Sequence, residues 1–209
     1  MECLGDEARP IDGIVLYVSP DGDDQNPGTT PEAPLRTLAY ALCNVRPGQT
    51  VRVMPGTYHE TVVMGAFGND SAPITIQGIT DGARLPVLDG ESNRTMGIGI
   101  VESVNVIIEN LEFRNYTDEG LYVLVGSDIL IRNNRFIGNG RASIDPDYDG
   151  EGFGLNVVGV RRVVIEGNEA AENGPATERV ERGILGTGIN TYELHEAIIR
   201  DNHSHHNIG

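Results

Sequence analysis

Apolar residues recur along this chain mostly at every second position, as in Val51 and Val53 of Thr50-Val51-Arg52-Val53-Met54, which marks short strands with one buried face. The first strand is expected at Ile14-Val15-Leu16-Tyr17-Val18. It runs into Ser19 to Gly28, a cluster of Asp, Asn, Pro and Gly that suits neither helix nor strand. One segment has a different period. Between Pro34 and Leu42, the residues Leu35, Leu38, Ala39 and Leu42 fall on one helical stripe, and Pro47-Gly48 stops it, so a short amphipathic helix is expected there. Residues 1–13 show no periodicity and are expected to be a disordered lead-in.

The second half of the chain repeats itself. Four segments align without gaps, ending at Ile108-Glu109-Asn110, Ile131-Arg132-Asn133-Asn134, Ile165-Glu166-Gly167-Asn168 and Ile199-Arg200-Asp201-Asn202. Ile108, Ile131, Ile165 and Ile199 are separated by 23, 34 and 34 residues, which a coil of 23 residues with two enlarged loops explains. Those loops run from Gly140 to Gly152 and from Gly174 to Gly188. Each coil holds two short strands around a polar turn, then a third after the asparagine. Asn134, Asn168 and Asn202 are expected to adopt left-handed backbone and to bond the amide one coil below.

The run from Leu16 to Met64 carries a strand, an Asp-rich turn, a Pro-Leu-Arg-Thr-Leu helix, a Pro-Gly-Gln-Thr-Val strand and a Pro-Gly-Thr-Tyr turn. It resembles the N-terminal cap and first coil of the pectate-lyase-like right-handed parallel β-helix superfamily. The resemblance and the repeats together imply an all-β solenoid with a short N-terminal capping helix. It would form a single domain over 14–209, with cap 14–50 and coils 51–209. No amphipathic helix follows Ile208-Gly209, so the C-terminal end is expected to be uncapped, as a piece of a longer β-helix or with end-to-end self-association through its open coil.

Composition narrows the partners. Asp and Glu number 31 against 15 basic residues, every one of them Arg, for a net charge of −16. Nucleic acid and anionic membrane both require a cationic footprint that this chain lacks. No apolar stretch reaches the roughly 18 residues of a membrane span. Cys3 and Cys43 allow one bridge at most. Met1-Glu2-Cys3-Leu4-Gly5-Asp6 lacks the basic and apolar regions of a secretory leader, so either the chain is intracellular or the extracellular or cell-surface location that the resemblance implies requires a leader outside this sequence.

Candidate chemistry follows from the register. With Ile98, Leu121, Leu155 and Ile189 inward, strand alternation turns Gly99, Tyr122, Asn156 and Asn190 outward on the first sheet. Tyr122, Asn156 and Asn190 are the candidate saccharide strip, with the two enlarged loops as its wall; the alternative is a solvated sheet face. In Asp145-Pro146-Asp147-Tyr148-Asp149-Gly150-Glu151-Gly152 the carboxylates of Asp145, Asp147, Asp149 and Glu151 stand at alternate positions, as hard oxygen ligands for calcium do. Asn156 stands where the twelfth-position Glu of an EF-hand would be. Asp21, Asp23, Asp24 and Asn26 form a weaker acidic cluster, and His203, His205 and His206 crowd the last coil.

Several lyase families of the resembled superfamily use a Lys base, which this chain does not have; an Arg base is the alternative that the resemblance offers. Arg141, Arg161 and Arg162 are nearest in sequence to the acidic loop and are the candidate catalytic residues, with salt bridging as their alternative role. Two readings stand side by side. One is an extracellular carbohydrate-active protein that binds or cleaves an acidic polysaccharide by calcium-assisted, lyase-type β-elimination. The other is a non-catalytic β-helix that binds glycans or builds a surface layer or filament.

Overall fold

The computed structural model describes residues 2–3, 14–65, 68, 72–141, 152–175 and 186–208. Its strands pair in parallel, in one sheet of 10 strands and one of 6. The coil is plainest in three 14-residue strands, Met96–Glu109, Glu119–Arg132 and Phe153–Glu166. A three-residue strand follows each: Glu112–Arg114, Arg135–Ile137 and Glu169–Ala171. Each long strand is bent by two positive-φ residues three positions apart, Glu102 and Asn105, Val125 and Asp128, or Gly159 and Arg162. That corner divides it into a first and a second strand of the coil.

The aliphatic column predicted from the repeats is present. Ile131 is the strand partner of Ile108 and of Ile165, and Ile165 of Ile199. Ile108, Ile131 and Ile165 are fully buried, whereas Ile199, in the last described coil, is half exposed. Leu121 likewise sits between Ile98 and Leu155, and Phe113 stacks on Phe136 with ring centroids 5.3 Å apart. Each coil lays its apolar side chains over those of the coil before, so burial that one coil cannot achieve alone is shared along the axis.

The capping helix spans Leu38–Asn44, later than the apolar stripe suggests. Leu35 is buried but extended, bridged to Val18. The Asp24 carboxylate accepts from the backbone N–H of Arg36 and Thr37, both at 2.9 Å, which holds this stretch open. Thr37 is the N-cap, its hydroxyl accepting from Tyr40 N at 3.1 Å. The Glu60 carboxylate then accepts from Leu38 and Ala39 N, both at 2.9 Å. The strand Glu2–Cys3, within the expected lead-in, pairs with Val63 and Met64; residues 4–13 lie outside the described residues. Cys43 is disulfide-bonded. No helix among the described residues is long and apolar enough to cross a membrane.

Two columns of asparagine run through the core. In the first, Asn134 Nδ2 donates to Asn168 Oδ1 at 3.2 Å and Asn168 Nδ2 to Asn202 Oδ1 at 2.9 Å. The second, formed by Asn139, Asn173 and Asn207, is linked by amide bonds of 3.0 Å at both steps. The left-handed residue is not the stacking asparagine, as the sequence suggested, but the residue before it. These are Asn133, Gly167 and Asp201 for the first column, and Gly138, Glu172 and His206 for the second. The division of labour has a geometric cause: the positive φ turns the chain, and the next side chain then points inward to satisfy backbone groups of adjacent coils.

Candidate functional site

Tyr122, Asn156 and Asn190 share one register across three coils, on the outer face of the first sheet. They do not form the open polar face expected. Asn156 is buried, its Nδ2 donating to Glu119 Oε1 at 2.7 Å and its Oδ1 accepting from Asn190 Nδ2 at 2.9 Å. Tyr122 stands beside them; its hydroxyl pKa is raised by burial and by the carboxylates of Glu119 and Asp118. The structure therefore joins the three predicted residues to a fourth that the sequence reading missed.

Glu119 is 8% exposed, and burial pushes its carboxyl up to about 7, against the opposing pull of the Asn156 amide. Asp118 adds to the upward shift. Along the chain, Asp118-Glu119-Gly120 carries no motif that singles it out. The register carried the missed signal: the same slot holds Met96 one coil earlier and Phe153 one coil later, so Glu119 is a carboxyl in an apolar column. Gly120 fixes the close approach of the coils here, since a side chain on it would meet Gly154 O at 2.6 Å.

Both enlarged loops leave the coil at the corner just before the first strand. The two ends of the first loop close on each other, since a side chain on Gly140 would fall 2.2 Å from Gly152 Cα, and the second loop returns against the first, since a side chain on Gly186 would fall 2.0 Å from Gly152 O. Arg141 stands at this corner, exposed and paired with Glu172 at 3.0 Å. Asp145, Asp147, Asp149 and Glu151, the candidate calcium ligands, lie outside the described residues. The weaker acidic cluster is engaged with its own chain: Asp23 Oδ1 accepts from Gln25 N at 3.0 Å, Asp24 caps Arg36 and Thr37, and Asn26 Nδ2 donates to Pro34 O at 2.8 Å. In the last coil, His205 contacts His206 Nδ1 at 2.6 Å and Glu169 at 3.4 Å. Among the described residues, no group of three or more His, Cys, Asp or Glu is arranged to hold a metal ion.

Arg161 and Arg162 sit at the other end of the first strand from the acidic segment. Arg162 is forked onto Asp128, with Nε to Oδ1 at 2.6 Å, and Arg161 reaches Glu196 at 3.4 Å. Arg162 and Asp128 edge a concavity of about 460 Å³ beyond the corner of the long strands, floored by Ile107, Leu130, Val164 and Ile198. Five residues of chain at about 3.3 Å each separate Arg161 from Asn156, so neither arginine belongs to the first-sheet strip. Other arginines pair with acids up the solenoid: Glu109, Arg132, Glu166 and Arg200 are in register, with Arg132 and Arg200 bonded to Glu109 and Glu166.

Comparison with known proteins places this geometry in a family. YwoF of Bacillus subtilis (strain 168), described as uncharacterized, is 37% identical over 139 residues, which are 60% of this chain and 29% of that protein. Pectate lyase PEL9 of Emericella nidulans is 35% identical over 79 residues, 34% of this chain and 19% of the other. The chain thus spans less than a third of the curated relatives it matches. The crystal structure of pectate lyase Pel9A superposes with a TM-score of 0.54 at 23% identity, over 76% of this chain and 48% of that one. A GH136 lacto-N-biosidase from Eubacterium ramulus gives a TM-score of 0.62 at 16% identity, over 91% and 41%. Such identities establish the fold alone. The description of the Pel9A-like right-handed beta helix region fits residues 16–179, most of the sequence including every coil from the cap to Asn173, and on that ground the chain belongs to the Pel9A-like right-handed β-helix family.

Proposed function

We propose that this chain takes an acidic polysaccharide along the outer face of its first strand column and cleaves it by a calcium-assisted, lyase-type β-elimination. The observation that carries the reading is the family match over residues 16–179, the coils that carry Tyr122 and Asn156, with Asn190 in register one coil further on. The relative PEL9 and the neighbour Pel9A are pectate lyases, which supports a polyuronate as substrate. An amide strip with a phenol at its side suits saccharide hydroxyls, which both donate and accept.

A net charge of −16 repels a polyuronate unless cations intervene. Asp145, Asp147, Asp149 and Glu151 would hold the calcium, their carboxylates being the hard donors that this ion prefers. Bound there, calcium would neutralise a uronate carboxylate and so acidify the adjacent C–H. The reading gives Arg141 to the sugar carboxylate, since it stands at the corner beside the strip. Arg161 and Arg162, at the far end of the first strand, serve the corner and the concavity beyond it. The disulfide at Cys43 supports an oxidising, extracellular or cell-surface setting.

The test is incubation of the chain with pectate, alginate and other polyuronates, with calcium or with chelator, while the absorbance of unsaturated sugar ends is followed. Calcium-dependent growth of that absorbance is expected. Silence across the panel, with a thermal melt indifferent to calcium and chelator, refutes the reading.

A further inference from the structure

Glu119 is a carboxyl within a cluster of polar groups beside the strip, and it binds neither calcium nor the sugar carboxylate in the elimination proposed above. Its Oε1 is engaged by Asn156, and Asn156 is in turn held by Asn190, so the carboxyl plane is fixed from two coils away. Its Oε2 has no partner among the described residues. Nor is that atom sealed in the core: the buried side-chain atoms without partners there are Asn44 Oδ1 and Arg52 Nε. Tyr122, three residues along the same strand, stands over the same strip. The charged neighbour acting on Glu119 is Asp118, another acid, and no arginine acts on it among the described residues. An acid so placed keeps its proton near neutral pH and presents it on the unengaged oxygen.

We infer that Glu119 is the catalytic acid of this site, delivering the proton from its Oε2 to the glycosidic oxygen as the bond to the leaving sugar breaks. The inference rests on the lyase reading above and deepens it. In the elimination the C5 proton leaves to water, the C4=C5 double bond forms, and the C4–O bond breaks with its electron pair on oxygen. That oxygen takes the Glu119 proton and departs as a hydroxyl. Glu119 is left as a carboxylate and recovers its proton from water, so the proton count balances. Asn156 and Asn190 act through Glu119 as positioning residues: the Asn156 amide occupies Oε1, which leaves the proton on the oxygen that faces the strip.

The test uses the 209-residue chain with polyuronate and calcium. Glu119→Gln keeps an oxygen for Asn156 to donate to, and its melt at pH 5 reports whether the fold is kept. Because general acids contribute about 10²- to 10⁴-fold, kcat is expected to fall within that range while KM stays within about twofold. Activity of the unaltered chain should decline as pH rises through about 7, a limb that the variant lacks. A uronate carrying nitrophenolate at the leaving position, which departs without protonation, should be cleaved by the variant at near the unaltered rate. Undiminished kcat in Glu119→Gln, or equal losses for both leaving groups, overturns the assignment while leaving the lyase reading intact. An unaltered chain silent on every polyuronate overturns the lyase reading and this role with it.

Discussion

Replacing Asn168 by alanine should weaken the solenoid far more than the loss of one surface amide would. Asn168 is 1% exposed, and its side chain makes four hydrogen bonds. Oδ1 accepts from Asn134 N at 2.9 Å and Asn134 Nδ2 at 3.2 Å; Nδ2 donates to Ile131 O at 3.0 Å and Asn202 Oδ1 at 2.9 Å. Asn134 Nδ2 retains Ile108 O, and Asn202 Oδ1 retains Asn168 N, so two of the four partners are only partly stranded. Asn134 N–H loses its acceptor outright, and Ile131 O loses a donor in a dry core. At about 1–3 kcal/mol for each stranded group, the expected loss is about 3 kcal/mol. For a chain of this size that is a fall in Tm of about 6–12 °C. Urea and thermal melts measure the loss, and amide hydrogen exchange at Asn134 shows whether its protection goes with it. Asn190→Ala, half-buried, serves as the comparison. A loss under about 1 kcal/mol, or unchanged exchange at Asn134, would show that the asparagine column does not hold the coils together in the way described.

Ile131→Ala removes the middle of a column buried on both sides and should cost about 2–5 kcal/mol by denaturant melt, whereas Ile199→Ala at the half-exposed end should cost less than half as much. Glu119 gives a pH dependence with a definite sign. Its folded pKa, about 7, is raised above the 4.5 of an ordinary Glu, so its contribution to stability is complete below about 4.5 and is lost as pH rises through about 7. Glu119→Gln should therefore flatten the melt-versus-pH curve in that window, by on the order of 3 kcal/mol at full effect. Val125 is a β-branched residue at φ 53 and half exposed, so Val125→Gly should relieve about 1–2 kcal/mol of strain against a smaller entropic cost and raise Tm slightly. Asp128→Ala breaks the fork with Arg162 but at an exposed corner, and should change stability by less than about 1 kcal/mol.

The repeat of aliphatic residues was enough to predict the stacked coils, because a period carried on buried side chains constrains which residues lie above which. Ile108, Ile131, Ile165 and Ile199 were legible for that reason, as was the shared register of Tyr122, Asn156 and Asn190. The helix start was not, because Leu35 has the right spacing for a helix and is held extended by Asp24, a residue eleven positions earlier. The second asparagine column, Asn139, Asn173 and Asn207, was equally regular but lay beside glycine-rich corners that read as loop. Glu119 was hidden for a different reason. A carboxyl next to an Asp and a Gly looks solvated along the chain, and its environment exists only when Met96 and Phe153 arrive above and below it. Local pattern determines which residues face the core, since strand geometry alternates side chains within a few residues. Which groups lose water, and so which carboxyl keeps its proton, is decided by chain segments 23 to 34 residues away, and only the stacked coils bring those together.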